Sequence, residues 1–139
     1  MPRVKRFATL NSSERRLVLR AFFLVCCVRA GLFLLPFRTV QRLTGKVGRQ
    51  AGMCHPARRC VWAIRAASRF VPRATCLTQA LSAQVLLAQA GHNSQIHIGV
   101  GKDQGSGFRA HAWVVHENEI VIGGADVDGY VPLVSLERR

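Results

Sequence analysis

The hydrophobic period of this chain changes once, close to Gly91. Upstream, apolar residues recur at steps of three and four, as in CLTQALSAQVLLAQAGH at 76–92, and this spacing predicts helices. Downstream, SQIHIGVG and RAHAWVVH alternate and EIVIGG is a short β-rich run, so we expect three strands. Helices followed by an antiparallel sheet define an α+β fold. We expect a single domain, 1–139, with a basic helical part at 1–70 and the last helix and the sheet at 71–139.

The first predicted helix carries the longest apolar run. NSSERR supplies Ser12 or Ser13 as its cap, and Pro36 ends it. The segment LVLRAFFLVCCVRAGLFLLPF is long enough to cross a membrane, but Arg20 and Arg29 interrupt it. An arginine near mid-span costs about 3 kcal/mol. We therefore expect a core helix or a helix on a membrane surface rather than a membrane span.

The charge of the chain is +13, and it lies almost wholly in the first half. Residues 1–73 hold 16 lysines and arginines against one acid, Glu14, whereas residues 74–139 carry −2. A basic half suits nucleic acid, an anionic membrane surface or an acidic polypeptide. Zinc-finger, RNP and recognition-helix patterns are missing from the sequence, and aromatic content is low, which argues against nucleic acid. We expect Arg65 and Arg69 to help dock an acidic partner.

The five cysteines have no regular spacing, and the polar N-terminus does not resemble a secretory signal. We therefore expect a reduced protein of the cytoplasm. Cys26 and Cys27 fall inside an apolar helix, where we expect core positions. The group Cys54, His55 and Cys60 in MCHPARRC fits no strong zinc template and lacks a fourth ligand nearby, so we expect no metal and no cofactor.

Cys76 stands apart from the other cysteines by its position. In RATCLTQAL it follows Thr75, a suitable N-cap, and so lies on the first turn of a helix. A helix N-terminus favours a thiolate over a thiol, and the Cys76 N–H is a natural oxyanion donor. The expected base is His111 in RAHAWVV, where alternation puts His111, Trp113 and Val115 on one face. Packing that face against the Cys76 helix would bring imidazole and thiol together.

The segments TCLTQAL, HIGVG, AHAWV and VIGG, preceded by ERRLVLRAFF, LLPFRTV and AASRFVP, together resemble the transglutaminase-like leader peptidases of lasso-peptide biosynthesis. The resemblance covers most of the chain. It implies a papain- or transglutaminase-like core and a cysteine endopeptidase that removes the leader from a ribosomally made lasso precursor peptide. It also implies two partner proteins, a separate leader-recognition protein acting in trans and an ATP-dependent lasso cyclase.

This resemblance carries the role of nucleophile to Cys76 and of base to His111, but it leaves the third residue open. The pattern often has an aspartate opposite the histidine, where this chain has Gly123 or Gly124 in IGGAD. Asp126 is the nearest downstream carboxylate, and we expect it to orient the imidazole. The alternatives are Asp128, Glu119, a backbone carbonyl and a water.

Two other functions fit the same residues. An acyl transferase would use the Cys–His pair with an amine in place of water. A non-enzymatic basic helical protein would bind nucleic acid or a membrane surface, and Cys76 would then be dispensable. Peripheral membrane contact by residues 17–37 is compatible with peptidase activity. The remaining histidines, which we expect to be structural or solvated, include His92, His97 and His116.

Overall fold

A computed structural model describes residues 9, 11–48, 55–71, 75–102, 108–123 and 130–137 of the chain. Four helices come first: α1 (Ser12–Leu34), α2 (Phe37–Gly48), α3 (Ala57–Ser68) and α4 (Cys76–Gln89). Four strands follow: β1 (Gln95–Lys102), β2 (Phe108–His116), β3 (Glu119–Ile122) and β4 (Tyr130–Glu137). Helices followed by one antiparallel sheet confirm the predicted α+β fold.

α1 begins at a reciprocal cap and ends before a proline. The Asn11 side chain accepts a hydrogen bond from the Glu14 N–H at 2.8 Å, and the Glu14 carboxylate accepts one from the Asn11 N–H at 3.3 Å. Both bonds satisfy backbone donors at the helix start. The cap predicted at Ser12 or Ser13 is therefore wrong, because the preceding asparagine already supplies the acceptor. The predicted end of the helix before Pro36 is confirmed.

α1 has one buried side and one exposed side. The buried side packs against α3 and α4, and its residues are Leu17, Val18, Ala21, Val25 and Val28. By length and composition this helix is apolar enough to cross a membrane, and 28 % of its most apolar 18-residue window is buried. The expectation of a core helix is therefore confirmed for one side of α1, while its other side is exposed.

α4 is buried almost all round, since it packs against the other three helices and against the sheet. The three- and four-residue steps of its sequence predict one apolar face made of Leu77, Leu81, Val85 and Ala88. Leu81 and Val85 are buried, but Leu77 and Ala88 are only partly buried, whereas the polar Ser82 is fully buried. The prediction of a single apolar face is therefore wrong, because a central helix has neighbours on every side.

The C-terminus of α4 closes with a glycine in the left-handed region. Gly91 has φ of +83°, and its N–H donates to the Ala88 carbonyl at 3.0 Å. The His92 N–H donates to the Leu87 carbonyl at 2.8 Å, which completes the usual pair of bonds at a glycine-capped helix end. Glycine just after the last apolar repeat is the usual sequence signal for such a cap, and the chain turns from it into β1.

The strands lie in the order β3-β2-β1-β4, and each neighbouring pair is antiparallel. Three of these strands were predicted and β4 was not, because its segment YVPLVSLE contains Pro132, which is unfavourable inside a strand. β4 lies at the edge of the sheet, where proline is tolerated. Its pairing with β1 shifts register between Ile98 and Gly99, beside that proline.

One face of the sheet joins the hydrophobic core. Ile96, Val114 and Ile122 lie side by side across β1, β2 and β3, and all three are buried. Together with Ala112 they belong to the core cluster that contains the buried residues of the helices. Since side chains alternate along a strand, His111 and the other odd-numbered residues of β2 lie on the opposite face.

Candidate active site

Cys76 is the first residue of α4 and lies directly behind its cap. The Thr75 hydroxyl oxygen accepts a hydrogen bond from the Thr78 N–H at 3.2 Å, and the two hydroxyl oxygens are 3.0 Å apart. The Cys76 thiol is free, half-buried, and packed against the hydrophobic core. The predicted placement of Cys76 on the first turn of a capped helix is therefore confirmed. There the helix dipole and the unpaired N–H groups favour a negative charge.

His111 lies within β2, opposite Gly99 of β1, and its ring is held by a backbone carbonyl. The distance from His111 Nε2 to the Gly123 carbonyl oxygen is 2.7 Å. A carbonyl oxygen can only accept, so Nε2 carries the proton that forms this bond. In the neutral ring the lone pair is then on Nδ1. The hydrogen bond thus selects one tautomer and fixes one edge of the imidazole.

Gly123 occupies a position that admits no side chain. Its φ is +80°, and a Cβ built there would lie 2.8 Å from the Ala112 carbonyl oxygen and 3.1 Å from Trp113 Cβ. An aspartate at this position would therefore clash with the backbone of β2 as well as adopt an unfavourable conformation. The glycine in IGGAD, where the resembling pattern often has an aspartate, is consistent with a site that uses the main chain instead.

Trp113 forms an aromatic layer with two histidines on the same face of the sheet. Its ring stacks on that of His111, with centroids 6.0 Å apart and planes at 24°, and on that of His97, at 5.8 Å and 13°. Trp113 is only 4 % exposed, although it lies outside the core cluster. The His111 ring is therefore positioned by a hydrogen bond at one edge and by an aromatic face beside it.

The expectation that the face of β2 bearing His111, Trp113 and Val115 packs against the Cys76 helix is wrong. The residues of β2 that join the core are Ala112 and Val114, and not those of the His111 face. Between these two described side chains, the structure shows no hydrogen bond from the Cys76 thiol to the His111 ring. Catalytic hydrogen bonds are often long or poorly aligned in structures without substrate.

The direction of α4 nevertheless puts both residues toward the same end of the molecule. The helix packs against β2, and just after its C-terminus the Asn93 carbonyl oxygen lies 2.6 Å from Nδ1 of His116, at the end of β2. The two elements therefore run in the same direction. His111 lies about 17 Å along β2 from His116, and Cys76 lies about 20 Å along α4 from its last residue, Gln89. The two residues are therefore at similar distances from the end at which the helix and the strand meet.

The carboxylates considered for the third residue separate into two groups. Glu119 is exposed and pairs with His116 in the register of β2 and β3, at the far end of the strand from His111. Glu119 is therefore excluded as the residue that orients the imidazole. Asp126, the predicted third residue, and Asp128 lie outside the described residues.

The other histidines have structural partners. His92 Nε2 lies 2.8 Å from the His55 carbonyl oxygen, and the rings of His92 and His116 meet edge to face at 5.5 Å. These contacts join the start of α3, the end of α4 and the end of β2. The structural role expected of His92 and His116 is confirmed, and His97 has the tryptophan stack described above.

None of the other described cysteines, which are Cys26, Cys27 and Cys60, is the first residue of its helix. Cys60 is fully buried, and its burial raises the pKa of the thiol from 9.0 to about 11, so it is a neutral core residue. Cys27 is exposed, so the prediction that it is a core residue is wrong, whereas the half-buried Cys26 packs against the core. Cys54 lies outside the described residues. Within the described part of the chain, no three potential ligands are close enough to share a metal ion.

Arg65 has a structural partner that the sequence did not indicate. Its guanidinium donates to the Val121 carbonyl at 2.7 Å and so ties α3 to β3. A charge reversal at this residue would remove that bond in addition to any docking contact. Arg69 is exposed just after α3 and is the cleaner position for testing a role in docking.

One of three comparisons with known proteins found a match. Residues 22–135 match the family described as the transglutaminase-like superfamily, and the match includes Cys76, His111 and Gly123. Neither a search of curated proteins nor a search of solved structures found a match. Members of this superfamily are in general enzymes, either cysteine peptidases or acyl transferases. Since the match covers most of the chain, the protein belongs to the transglutaminase-like superfamily.

Proposed function

We propose that this protein is a cysteine endopeptidase that removes the leader from a ribosomally made lasso precursor peptide. The observation that carries the proposal is the hydrogen bond from His111 Nε2 to the Gly123 carbonyl, since it leaves Nδ1 as the basic nitrogen. Cys76 at the N-terminus of α4 supplies the second part, a thiol where negative charge is favoured. The resemblance of the sequence to lasso leader peptidases supplies the substrate class.

The reaction follows from these two groups. His111 Nδ1 takes the thiol proton, and the Cys76 sulfur attacks the scissile carbonyl carbon to form a tetrahedral oxyanion. The Cys76 N–H, at the helix start, is placed to donate to that oxyanion. His111 then returns the proton to the leaving amine as the C–N bond breaks. A water that gives its proton to His111 finally hydrolyses the thioester and releases the leader acid and the free thiol.

The proposal includes two partners and a compartment. A separate leader-recognition protein presents the precursor, and an ATP-dependent lasso cyclase then closes the macrolactam ring on the released peptide. We assign the activity to the cytoplasm, because the cysteines Cys26, Cys27, Cys60 and Cys76 are free thiols and the proposed chemistry needs Cys76 reduced.

The experiment is cleavage of the cognate precursor, read by mass spectrometry, with the leader-recognition protein present and absent. Wild type, Cys76→Ala and Cys60→Ala are compared, because Cys60 is a buried thiol outside the proposed site. We expect leader release by wild type and Cys60→Ala, loss of it in Cys76→Ala, and a higher rate when the recognition protein is added. Equal cleavage by Cys76→Ala would refute the nucleophile, and a product joined to an added amine would identify an acyl transferase instead.

A further inference from the structure

The bond between His111 and Gly123 has a consequence for the third catalytic position. In Cys–His enzymes a carboxylate or amide side chain usually holds the imidazole tautomer. Here a main-chain oxygen lies 2.7 Å from Nε2, at a position where no side chain fits. We propose that the Gly123 carbonyl, by accepting the Nε2–H bond, holds the tautomer of His111, the role that the third residue of the triad usually has. The inference rests on the proposed function for its catalytic meaning.

A neutral carbonyl provides orientation but no full negative charge. During the reaction the imidazole becomes an imidazolium, and an aspartate would stabilise that charge directly. The Trp113 ring lies 6.0 Å from the His111 ring, centroid to centroid, and an aromatic face at this distance attracts a cation. The carbonyl oxygen adds its partial negative charge at Nε2. Gly123 is therefore a positioning residue, and Trp113 contributes to the electrostatic stabilisation of the imidazolium.

The backbone conformation explains why this position is a glycine. The φ of +80° turns the Gly123 carbonyl toward the imidazole just after β3, and the missing Cβ lets that turn lie against Ala112 and Trp113. Gly91 provides a matched control in the same chain. Its φ is +83°, yet a Cβ there would meet nothing within 4 Å. Alanine at either glycine carries a similar conformational cost, but only Gly123→Ala also displaces the carbonyl.

The test measures the tautomer of His111 directly and without substrate. Nitrogen-15 NMR of the wild-type protein, at a pH where the imidazole is neutral, distinguishes the protonated from the unprotonated ring nitrogen. We expect the proton on Nε2 of His111, and the same result in Gly91→Ala. The opposite tautomer in wild type would overturn the proposal whether or not the protein cleaves a precursor. Because this measurement needs no activity, its failure is distinguishable from failure of the proposed function.

The variants then connect the tautomer to the rate. We expect Gly123→Ala to lose the Nε2–H tautomer and to lower kcat for precursor cleavage by about 100-fold relative to Gly91→Ala, with less change in KM. Asp126→Asn is compared in both measurements. If Asp126→Asn shifted the tautomer while Gly123→Ala left it unchanged, a carboxylate and not the carbonyl would orient His111. Should Gly123→Ala fail to fold, the wild-type NMR and Asp126→Asn still decide between the two.

The exposed side of α1 supports a second, independent inference. It carries a row of apolar side chains along most of the helix, including Phe23 at 66 % exposure, Phe33 at 78 % and Leu34 at 74 %. Leu19, on the same side, lies one turn before Phe23, and Leu43 of α2 is exposed as well. Exposed apolar surface of this extent marks an interaction site in a soluble protein.

The charged side chains around this apolar row are almost all positive. The described residues of α1 and α2 carry seven cationic side chains, which are Arg15, Arg16, Arg20, Arg29, Arg38, Arg42 and Lys46. The one acid in these helices, Glu14, forms an ion pair with Arg59 of α3. A helix that combines an apolar row with flanking cations binds anionic bilayers at the headgroup boundary. We infer that the exposed side of α1 docks on an anionic lipid surface.

Sedimentation with lipid vesicles tests this inference. The full-length protein is mixed with vesicles of phosphatidylglycerol and phosphatidylcholine, or of phosphatidylcholine alone. We expect binding to the anionic vesicles, and a loss of affinity of about tenfold or more in Phe23→Ser/Phe33→Ser. Ile120→Ser is the control, because Ile120 is an exposed apolar residue on β3 instead of α1. Absence of binding, equal binding by the double variant, or capture of the leader-recognition protein by this face in place of lipid would contradict the inference.

Discussion

His111 and Gly123 are joined by a hydrogen bond of 2.7 Å from the imidazole Nε2 to the main-chain oxygen. The bond links β2, one of the two inner strands of the sheet, to the residue just after β3, and it determines which ring nitrogen is basic. Because the acceptor belongs to the main chain, its position depends on the backbone conformation of one glycine and not on a side chain.

Trp113 provides a test of how the imidazolium is stabilised. Trp113→Phe keeps an aromatic face beside His111, whereas Trp113→Leu removes it. We expect kcat for precursor cleavage to be about tenfold lower in the leucine variant than in the phenylalanine variant, since a desolvated cation–aromatic contact contributes about 1 to 2 kcal/mol. Steady-state kinetics on both folded variants measures this difference. Equal kcat values would show that the ring serves packing alone.

Thr75 is expected to stabilise α4 as its N-terminal cap. Thr75→Ala removes the oxygen that accepts from the Thr78 N–H, and we expect the free energy of unfolding to fall by about 1 kcal/mol. Thr75→Ser keeps the acceptor and should remain close to wild type. Urea unfolding of the three proteins gives the comparison, and an unaltered midpoint in the alanine variant would mean that the cap does not stabilise α4.

The raised pKa of the Cys60 thiol should make the folded protein less stable at alkaline pH. The folded chain holds its thiol proton up to about pH 11, whereas the unfolded chain releases it above 9.0. Below pH 9 the Cys60 thiol is protonated in both the folded and the unfolded chain, so it does not make the free energy of unfolding depend on pH. As the pH rises from 9 to 11, this thiol lowers the free energy of unfolding by about 2 to 3 kcal/mol. Cys60→Ala should lack this part of the decline. Chemical denaturation of both proteins from pH 8 to 11 measures it, and parallel curves would contradict the burial argument.

Gly31 lies inside α1 and is a candidate for stabilisation. A Cβ at this position would meet Val40 Cγ2 at 3.5 Å, an ordinary contact. Gly31→Ala should therefore raise the free energy of unfolding by about 0.5 to 1 kcal/mol, because glycine costs helix entropy that alanine does not. Thermal unfolding provides the measurement. A lower midpoint would indicate that α1 and α2 approach more closely than this contact suggests.

The hydrophobic period was sufficient to predict that helices precede the sheet and to predict three of its strands. β4 was missed because the penalty for Pro132 does not apply at a sheet edge. The buried side of α4 was misjudged because helix periodicity does not reveal a helix with neighbours all round. The cap of α1 was misplaced because Asn11, Ser12 and Ser13 are all good acceptors and only the geometry selects one.

The candidate site was predictable in part. Cys76 and Thr75 form a local motif, so their placement on the first turn of α4 followed from the sequence. A backbone carbonyl was one of several alternatives, but Gly123 was not named as its source, because the direction of a carbonyl depends on φ and on strand register. The signal for it in the sequence is a glycine at the position where the resembling pattern has an aspartate.

The most direct test of the Cys76–His111 pair is the alkylation rate of each thiol at neutral pH, mapped by mass spectrometry. Cys27 is the control for exposure and Cys60 the control for burial. We predict that the half-buried Cys76 reacts faster than the exposed Cys27, and that His111→Ala slows Cys76 by about tenfold or more without changing Cys27. If Cys76 reacted no faster than Cys27, or if His111→Ala left its rate unchanged, the two residues would not form a catalytic pair.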